Sequence, residues 1–85
     1  MYYVYMLKSV NSEWYYVGST GDVGKRLKHH NYGDVISTRP RRPYKVVYIE
    51  KFSTIECARS REKQIKQSRS IKDGIIKKLA LSSNG

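Results

Sequence analysis

Apolar positions along the chain fall into short runs typical of strands and longer stretches with a helical period. The segments 2–7 and 14–18 are apolar or aromatic at nearly every position and have no helical period. Turn-forming residues at 11–13 separate them, so they predict an antiparallel hairpin. Because both strands lack a polar face, we expect packed layers on both sides of the sheet. Segment 44–52 predicts a third strand.

The first predicted helix follows the hairpin. Residues 19–22 are expected to form a loop, and Asp22 is the expected N-cap of a helix over roughly 23–31. On that helix Val23, Leu27 and His30 share one face. The segment 32–43 predicts a long connection that contains Pro40 and Pro43.

Two further helices are predicted by Ser-x-x-acid capping boxes. Ser53 begins the first box, which predicts a helix to about residue 68, and Ser70 begins the second, which predicts a helix through about 81. The predicted order is ββαβαα, an α+β fold in which helices flank a three-stranded, mostly antiparallel sheet. We expect a single domain over 1–81 and a flexible tail at 82–85.

Two charged residues interrupt the predicted apolar helix faces. Glu62 lies in line with Ile55, Ala58 and Ile65, and a carboxylate facing a core is costly unless it is paired or bound to a cation. Arg26 flanks the inward face of the first helix. Each residue taken alone fits a surface role, with Glu62 paired locally at the rim and Arg26 extended towards solvent. Taken together, they could pair with each other or share a cleft that holds a phosphate and a metal.

Tyrosines are frequent in the two hairpin strands. The chain has eight tyrosines. Tyr5 lies in the first predicted strand and Tyr16 in the second, with Gly18 two positions after Tyr16. Core packing explains any single tyrosine in a strand. At the edge of a basic cleft, however, a phenolic hydroxyl can orient a water molecule, and Gly18 would let a backbone or a phosphate approach closely.

The charge of the chain narrows its partners. Lys and Arg number 17 against 7 acidic residues, which gives a net charge of +10. A field of this density attracts polyanions, so nucleic acid is the expected partner, although a solubilising surface or a ribosome-associated protein has the same composition. No segment approaches the roughly 20 apolar residues of a membrane span, and no secretory leader is evident, so we expect a cytoplasmic protein without a membrane partner.

Several enzyme classes are disfavoured by what the chain contains. Cys57 is the single cysteine, so no internal disulfide can form, and it has no evident base partner for thiol chemistry. His29 and His30 are not accompanied by ligands at zinc spacing, and no phosphate-binding glycine loop precedes a lysine.

The ordered landmarks resemble the GIY-YIG nuclease family. The first signature corresponds to Tyr3-Val4-Tyr5 and the second to Tyr16-Val17-Gly18, and Arg26 and Glu62 follow where the family has its helix arginine and its metal-binding glutamate. The resemblance covers residues 2 to about 67. Segments 26–31 and 37–43 are similar to small stand-alone bacterial members, which in turn resemble the amino-terminal nuclease module of the excision-repair endonuclease.

The resemblance implies a metal-dependent endonuclease that hydrolyses DNA phosphodiester bonds, with structure selectivity, in DNA repair or processing. Glu62 would hold one Mg²⁺ or Mn²⁺ ion, Arg26 would bind the scissile phosphate, and Tyr5 or Tyr16 would orient or deprotonate water. His30 would assist proton transfer or bind phosphate, and Gly18 would be structural. DNA, or alternatively RNA, would contact the basic side chains of Arg26, Lys28, Arg39, Arg41 and Arg42.

The alternative is a catalytically inactive DNA- or RNA-binding module that keeps the nuclease fold. The family often has an asparagine after the glutamate helix, whereas Asn84 is the one asparagine that follows Glu62 here, and its role is not carried over. Larger relatives also attach a separate DNA-binding domain, so specificity here would come from the basic residues or from a protein partner.

Overall fold

A computed structural model of the protein describes residues 1–82, with side chains through Leu79. It confirms the predicted order ββαβαα. The elements are β1 (Tyr2–Ser9), β2 (Tyr15–Thr20), α1 (Val23–Tyr32), β3 (Tyr44–Phe52), α2 (Ile55–Gln67) and α3 (Arg69–Ser82), with a short 3-10 helix at Arg39–Arg41 before β3. The predicted flexible tail at 82–85 lies outside the described residues, apart from Ser82 at the end of α3.

The three strands form one antiparallel sheet in the order β2-β1-β3. Strand β1 is central, and β2 pairs with it in a register that puts Gly18 opposite Tyr5 and Ser19 opposite Val4. The prediction that residues 19–22 form a loop was therefore wrong for its first half, because pairing with β1 extends β2 through Thr20. A bulge in β3 lies opposite the step from Met6 to Leu7.

Both faces of the sheet are covered, as the uniformly apolar strands predicted. On one face, Val4, Met6 and Val17 pack with residues of α2 and α3, which include Ala58, Ile65 and Ile75. On the other face, Tyr5, Leu7 and Tyr44 are buried, and α1 packs there through Val23 and Leu27. Helices α1 and α2 therefore lie on opposite faces of the sheet.

The predicted capping residues of the last two helices were wrong by one and two positions. Thr54, not Ser53, caps α2, because its side chain accepts a hydrogen bond from the backbone N–H of Cys57. At the next junction Ser68, not Ser70, accepts a hydrogen bond through its Oγ from the N–H of Ile71. Both predictions chose a serine with an acid three residues later, whereas the chain enters each helix at a neighbouring hydroxyl residue.

The connection between α1 and β3 is held at several points. Gly33 ends α1 in the left-handed region at φ 88°, which glycine adopts at little cost. The Asn31 amide donates to the carbonyl of Tyr44 at 3.2 Å and accepts from its N–H at 2.6 Å. Thr38 is fully buried, and its carbonyl accepts a hydrogen bond from the Tyr44 hydroxyl at 2.7 Å. The segment is therefore an ordered, partly buried loop.

None of the helices in the described part of the chain is both long and apolar enough to cross a membrane.

Candidate active site

Two tyrosines and an arginine meet on the α1 face of the sheet. Tyr5 on β1 is paired with Gly18 on β2, and Tyr16 lies two residues before Gly18. The two tyrosines therefore point to the same face of the sheet. The ring centroids of the two tyrosines are 6.3 Å apart. The guanidinium of Arg26, which α1 carries on this face, lies near enough to the two phenols that they raise its pKa.

The charge of Arg26 is not neutralised by a carboxylate within the described residues. Its interaction with the Tyr5 hydroxyl raises the pKa of the guanidinium, so the charge is permanent. Burial raises the pKa of the Tyr5 phenol, and the adjacent Arg26 opposes that rise. The Nε atom of Arg26 is buried without a hydrogen-bond partner in the part of the chain that the structure describes. A half-buried cation with an unused donor fits an anion such as a phosphate.

The space beside Gly18 is occupied by an aromatic ring of the protein itself. We expected its missing side chain to admit a backbone or a phosphate, whereas the ring of Tyr5 fills that space. A Cβ at position 18 would lie 2.5 Å from the Tyr5 hydroxyl oxygen, 2.7 Å from Cζ of the same ring and 3.1 Å from Cε2 of Tyr16. The glycine thus lets the two phenols lie against the backbone of β2.

His30 is fully buried behind these phenols, on the helix face that the spacing predicted. Its Nε2 lies 3.3 Å from the Tyr5 hydroxyl and its Nδ1 lies 2.8 Å from Thr38 Oγ1. Thr38 uses its one hydroxyl hydrogen to donate to the carbonyl of Val35 at 3.3 Å, so His30 Nδ1 is the donor to Thr38. The remaining lone pair on Nε2 then accepts the hydrogen of Tyr5.

Burial lowers the pKa of the His30 imidazole, and the positive charges of Arg26 and His29 lower it further. The ring is therefore neutral near pH 7, in agreement with the tautomer that its two hydrogen bonds require. It also packs against Tyr16, with ring centroids 4.7 Å apart. His30 consequently fixes the positions of both tyrosines and does not contact solvent itself.

Glu62 approaches the group from the opposite face of the sheet. Its carboxylate accepts a hydrogen bond from Ser19 Oγ at 2.5 Å and forms an ion pair with Lys66 at 2.6 Å, and its side chain is 21% exposed. Burial would raise the pKa of this carboxyl, but the hydrogen bonds from Lys66 and Ser19 outweigh burial, and the pKa lies below its usual range. The local pairing that we considered for a rim position is therefore present.

The two parts of the site, which are the group of Tyr5, Tyr16 and Arg26 on one face and Glu62 on the other, meet at the edge of the sheet. The charge of Glu62 contributes to the raised pKa of Tyr5, and the ammonium of Lys66 lies 5.6 Å from the ring centroid of Tyr16. Strand β2 is an edge strand, so the two parts meet around its edge beside Ser19, which is half-buried, while Gly18 is buried beneath the Tyr5 ring. The four landmark residues therefore surround this part of β2, with Arg26 on one face of the sheet and Glu62 on the other, and a cleft shared by the two stays a prediction.

The oxygen chemistry at Glu62 fits a hydrated divalent cation. An ionised carboxylate is a hard ligand of the kind that Mg²⁺ and Mn²⁺ prefer. No group of three or more His, Cys, Asp or Glu residues that could hold a metal occurs in the described part of the chain. Glu62 would therefore be the main protein ligand, and water and a substrate phosphate would complete the coordination shell.

The predicted nucleic-acid contacts lie on the exposed surface beside the α1 face. Lys28, Arg39, Arg41 and Arg42 are all exposed. The arginines also have local roles: Arg39 donates to the carbonyl of Gly33 at 2.7 Å, Arg42 donates to that of Arg39, and Arg41 lies 5.0 Å from the ring centroid of Trp14. They extend the positive surface that begins at Arg26 along the far end of α1.

Three residues of the site were missed in the sequence, and two of them carry no signal there. Ser19 was assigned to a loop, and its contact with Glu62 joins residues 43 positions apart. Thr38 belongs to a connection without apolar period, and nothing in the sequence marks it as buried beneath His30. Lys66 could have been found, because a lysine four residues after a glutamate on a helix commonly pairs with it.

Comparison with known proteins agrees with this arrangement. Residues 1–72 match the family model described as the GIY-YIG catalytic domain. Among relatives, a UPF0213 protein of Clostridium perfringens is 46% identical over 68 residues, which are 79% of this chain and 72% of that protein. One of Halobacterium salinarum is 38% identical over 89% of this chain and all of that protein. The solution NMR structure of the UPF0213 protein of Bacillus halodurans has 33% identity and a TM-score of 0.55, and the match covers 89% of this chain and 82% of that one.

Proposed function

Because the chain belongs to the GIY-YIG family, whose catalytic domain is a nuclease domain, we propose that it is a metal-dependent endonuclease that hydrolyses DNA phosphodiester bonds. One observation carries the proposal. A guanidinium without a carboxylate partner among the described residues lies beside two phenols, near a strand end that an ionised carboxylate reaches from the other side. We further propose that the cleavage is structure-selective and serves DNA repair or processing. The protein would act in the cytoplasm.

Arg26 binds the scissile phosphate in this proposal. Among the residues that the structure describes, its charge has no carboxylate partner and its Nε no acceptor, so a phosphate oxygen would satisfy the donor as well as the charge. The same contact would stabilise charge that develops on phosphorus as water attacks and the leaving oxygen departs. Arg26→Lys keeps the charge but loses the planar fork, and we expect it to lower cleavage by about 100-fold.

The two phenols have different roles. Tyr5 is 1% exposed and donates its hydrogen to His30, which leaves its oxygen available to hold Arg26 in place. Tyr16 is partly exposed at the strand edge, and its hydroxyl is the one that would orient the attacking water. Tyr16→Phe should therefore reduce the rate of cleavage with little effect on DNA affinity. Tyr5→Phe should reduce both, and His30 acts through Tyr5 as a positioning residue.

Glu62 would hold one Mg²⁺ or Mn²⁺ ion. When bound, that ion would supply positive charge to the scissile phosphate and to the leaving oxygen. Ser19 already orients one carboxylate oxygen, and the other faces Lys66, which must move aside for a cation to bind. Lys66 is 48% exposed, so its flexible side chain can leave without disturbing the core.

The decisive experiment is cleavage of flaps, forks, single strands and RNA with Mg²⁺ or Mn²⁺. We expect Glu62→Gln to abolish cleavage and to retain binding, while Glu56→Gln, an exposed carboxylate at the start of the same helix, leaves cleavage unchanged. A wild-type protein that cleaves none of these substrates with either ion would refute the nuclease proposal.

The ion pair between Lys66 and Glu62 favours a second candidate, a binding module without catalytic activity. In that case the lysine ammonium takes the place of a metal and keeps the carboxylate satisfied. Such a module would bind nucleic acid equally well with and without Mg²⁺ and would be indifferent to Glu62→Gln. Lys66→Met separates the candidates, because it should lower the Mg²⁺ concentration needed for cleavage by a nuclease and change nothing in a binding module.

Nucleic acid would follow the positive surface formed by Arg26, Lys28, Arg39, Arg41 and Arg42. Contacts with phosphates release counterions, so affinity should fall steeply with salt. Neutralising Arg41 and Arg42 together should flatten the plot of log affinity against log salt concentration by roughly two phosphate contacts. An unchanged slope would exclude this loop as the contact surface and would point to a protein partner for specificity.

A further inference from the structure

One tyrosine is exposed while the other seven pack against the sheet or its helices. Tyr32, the last residue of α1, is 84% exposed, whereas every other tyrosine is buried or half-buried. An exposed aromatic ring contributes nothing to the core. Its ring is available to a ligand, and the charged clefts beside it indicate which kind.

The backbone on both sides of Tyr32 is fixed. The Asn31 side chain forms two hydrogen bonds with the backbone of Tyr44, and Gly33 ends the helix with its N–H on the carbonyl of His30. Asp34 completes the end of the helix through its N–H to the carbonyl of His29. The ring is thus presented to solvent from an ordered position, and a stacking partner would lose little entropy in ordering it.

Open clefts adjoin Tyr32, and cationic side chains line them. One cleft, of about 500 Å³, is lined by Leu27, Lys28, Asn31, Tyr32 and Arg42. The second is lined by Lys25, Lys28, His29, Tyr32 and Asp34. Asp34 is the single acid among these residues, against the three cations Lys25, Lys28 and Arg42, so positive charge dominates.

An aromatic ring with lysine and arginine beside it has the chemistry of a single-strand binding site. The cations hold phosphates, and the ring accepts the face of an unpaired base. A duplex cannot use the ring in this way, because its bases are already stacked on one another. Arg26 and Tyr32 lie on the same helix, roughly 9 Å apart along its axis at 1.5 Å per residue, so one strand could reach both.

We propose that Tyr32 stacks on an unpaired base of the nucleic acid whose phosphate Arg26 binds, with Lys28 and Arg42 on the flanking phosphates. The inference rests on the proposed function for its choice of nucleic acid as the ligand. It adds the substrate class: a strand that is unpaired beside the site of cleavage, as in a flap, a fork or a single strand.

The test measures affinity by fluorescence anisotropy in EDTA, so that no cleavage occurs. The ligands are a labelled single-stranded oligonucleotide, the same strand with abasic positions, and the corresponding duplex. We expect Tyr32→Ala to weaken binding of the intact single strand about 10-fold, the loss typical of one stacked base. Tyr32→Phe should restore it, because the ring and not the hydroxyl stacks.

Ile36→Ala is the matched control, since Ile36 is 79% exposed in the neighbouring loop and lines neither cleft. It should leave all affinities unchanged, and Tyr32→Ala should not alter binding of the duplex or of the abasic strand. The inference is overturned if Tyr32→Ala has no effect, if it weakens duplex and single strand equally, as it would where the ring serves another partner, or if the protein binds no nucleic acid.

The two proposals can fail separately. A ring-dependent preference for single strands in a wild-type protein that never cleaves with Mg²⁺ or Mn²⁺ refutes the nuclease and leaves the stacking site standing. Cleavage by the wild-type protein, together with an unaffected Tyr32→Ala variant in the binding assay, refutes the stacking site alone.

Discussion

Replacing Gly18 by alanine tests how closely the fold and the site depend on one another. The added Cβ would overlap the hydroxyl oxygen and Cζ of Tyr5, at 2.5 and 2.7 Å. Contacts this short cannot persist, so the ring or strand β2 must move. The Tyr5 ring is buried and hydrogen-bonded to His30, and therefore has no free direction in which to retreat.

The cost can be worked from these contacts. Overpacking of a filled core costs about 1–3 kcal/mol, and loss of the hydrogen bond to His30 adds about 1 kcal/mol. Alanine restricts the unfolded chain more than glycine does, which returns roughly 0.5–1 kcal/mol. We expect a net loss of about 1–3 kcal/mol in the free energy of unfolding, or roughly 5–20 °C in Tm for a domain of this size.

Urea unfolding followed by far-UV circular dichroism measures that loss. Gly74→Ala is the matched control, because no atom of the described residues lies within 4 Å of the added Cβ in α3, and it should stabilise the protein by up to about 1 kcal/mol. Combining Gly18→Ala with Tyr5→Phe removes the closest clashing atom and should recover part of the loss.

Nuclease activity provides a second readout of the same change. The displaced Tyr5 ring would no longer hold Arg26, so cleavage should fall further than the folded fraction does. A Gly18→Ala variant within 0.5 kcal/mol of wild type, a threshold of about the size of ordinary surface effects, would refute the reasoning. Strict additivity with Tyr5→Phe would refute it as well.

Two further changes have matched controls. Thr54→Ala removes the N-cap of α2 and should cost about 1 kcal/mol of unfolding free energy in thermal or urea unfolding. Ser53→Ala should cost nothing. An equal loss for both variants would contradict the assignment of the cap to Thr54. The pKa of His30 is lowered in the folded state, so the unfolded chain binds more protons below about pH 6.5 and stability should fall as the pH drops through that value. Urea midpoints from pH 8 to 5 should show this fall in the wild type and in His29→Asn but not in His30→Asn, and a persistent slope in His30→Asn would contradict it.

Local signals predicted the elements of this fold well. The turn residues at 11–13, the cap at Asp22 and the period of Val23, Leu27 and His30 are short-range features, and each was confirmed. Uniformly apolar strands correctly predicted helices on both faces. The errors at Ser53 and Ser70 have a common cause, since neighbouring hydroxyl residues can each supply the cap, and the direction in which the chain leaves the preceding element decides between them.

The site was only partly predictable from the sequence. Residue type and order singled out Tyr5, Tyr16, Arg26 and Glu62 as candidates, but nothing in the sequence states on which face of the sheet a helix will pack. The face depends on the side of the sheet over which the connection to each helix passes. In this fold α1 and α2 pack on opposite faces, which separates Arg26 from Glu62. The same limitation concealed Ser19, whose role depends on the register of β2 against β1.

Thr38 links the arginine-bearing loop to the interior through one imidazole. Its hydroxyl binds His30, whose opposite nitrogen binds Tyr5, so the loop and the phenol are two ends of a chain of three side chains. A movement of the loop that carries Thr38 away would release the His30 ring and with it the hydroxyl that holds Arg26. If the loop binds nucleic acid as we propose, that contact would be coupled to the position of the Tyr5 hydroxyl through Thr38 and His30, even though no arginine of the loop belongs to the central cluster.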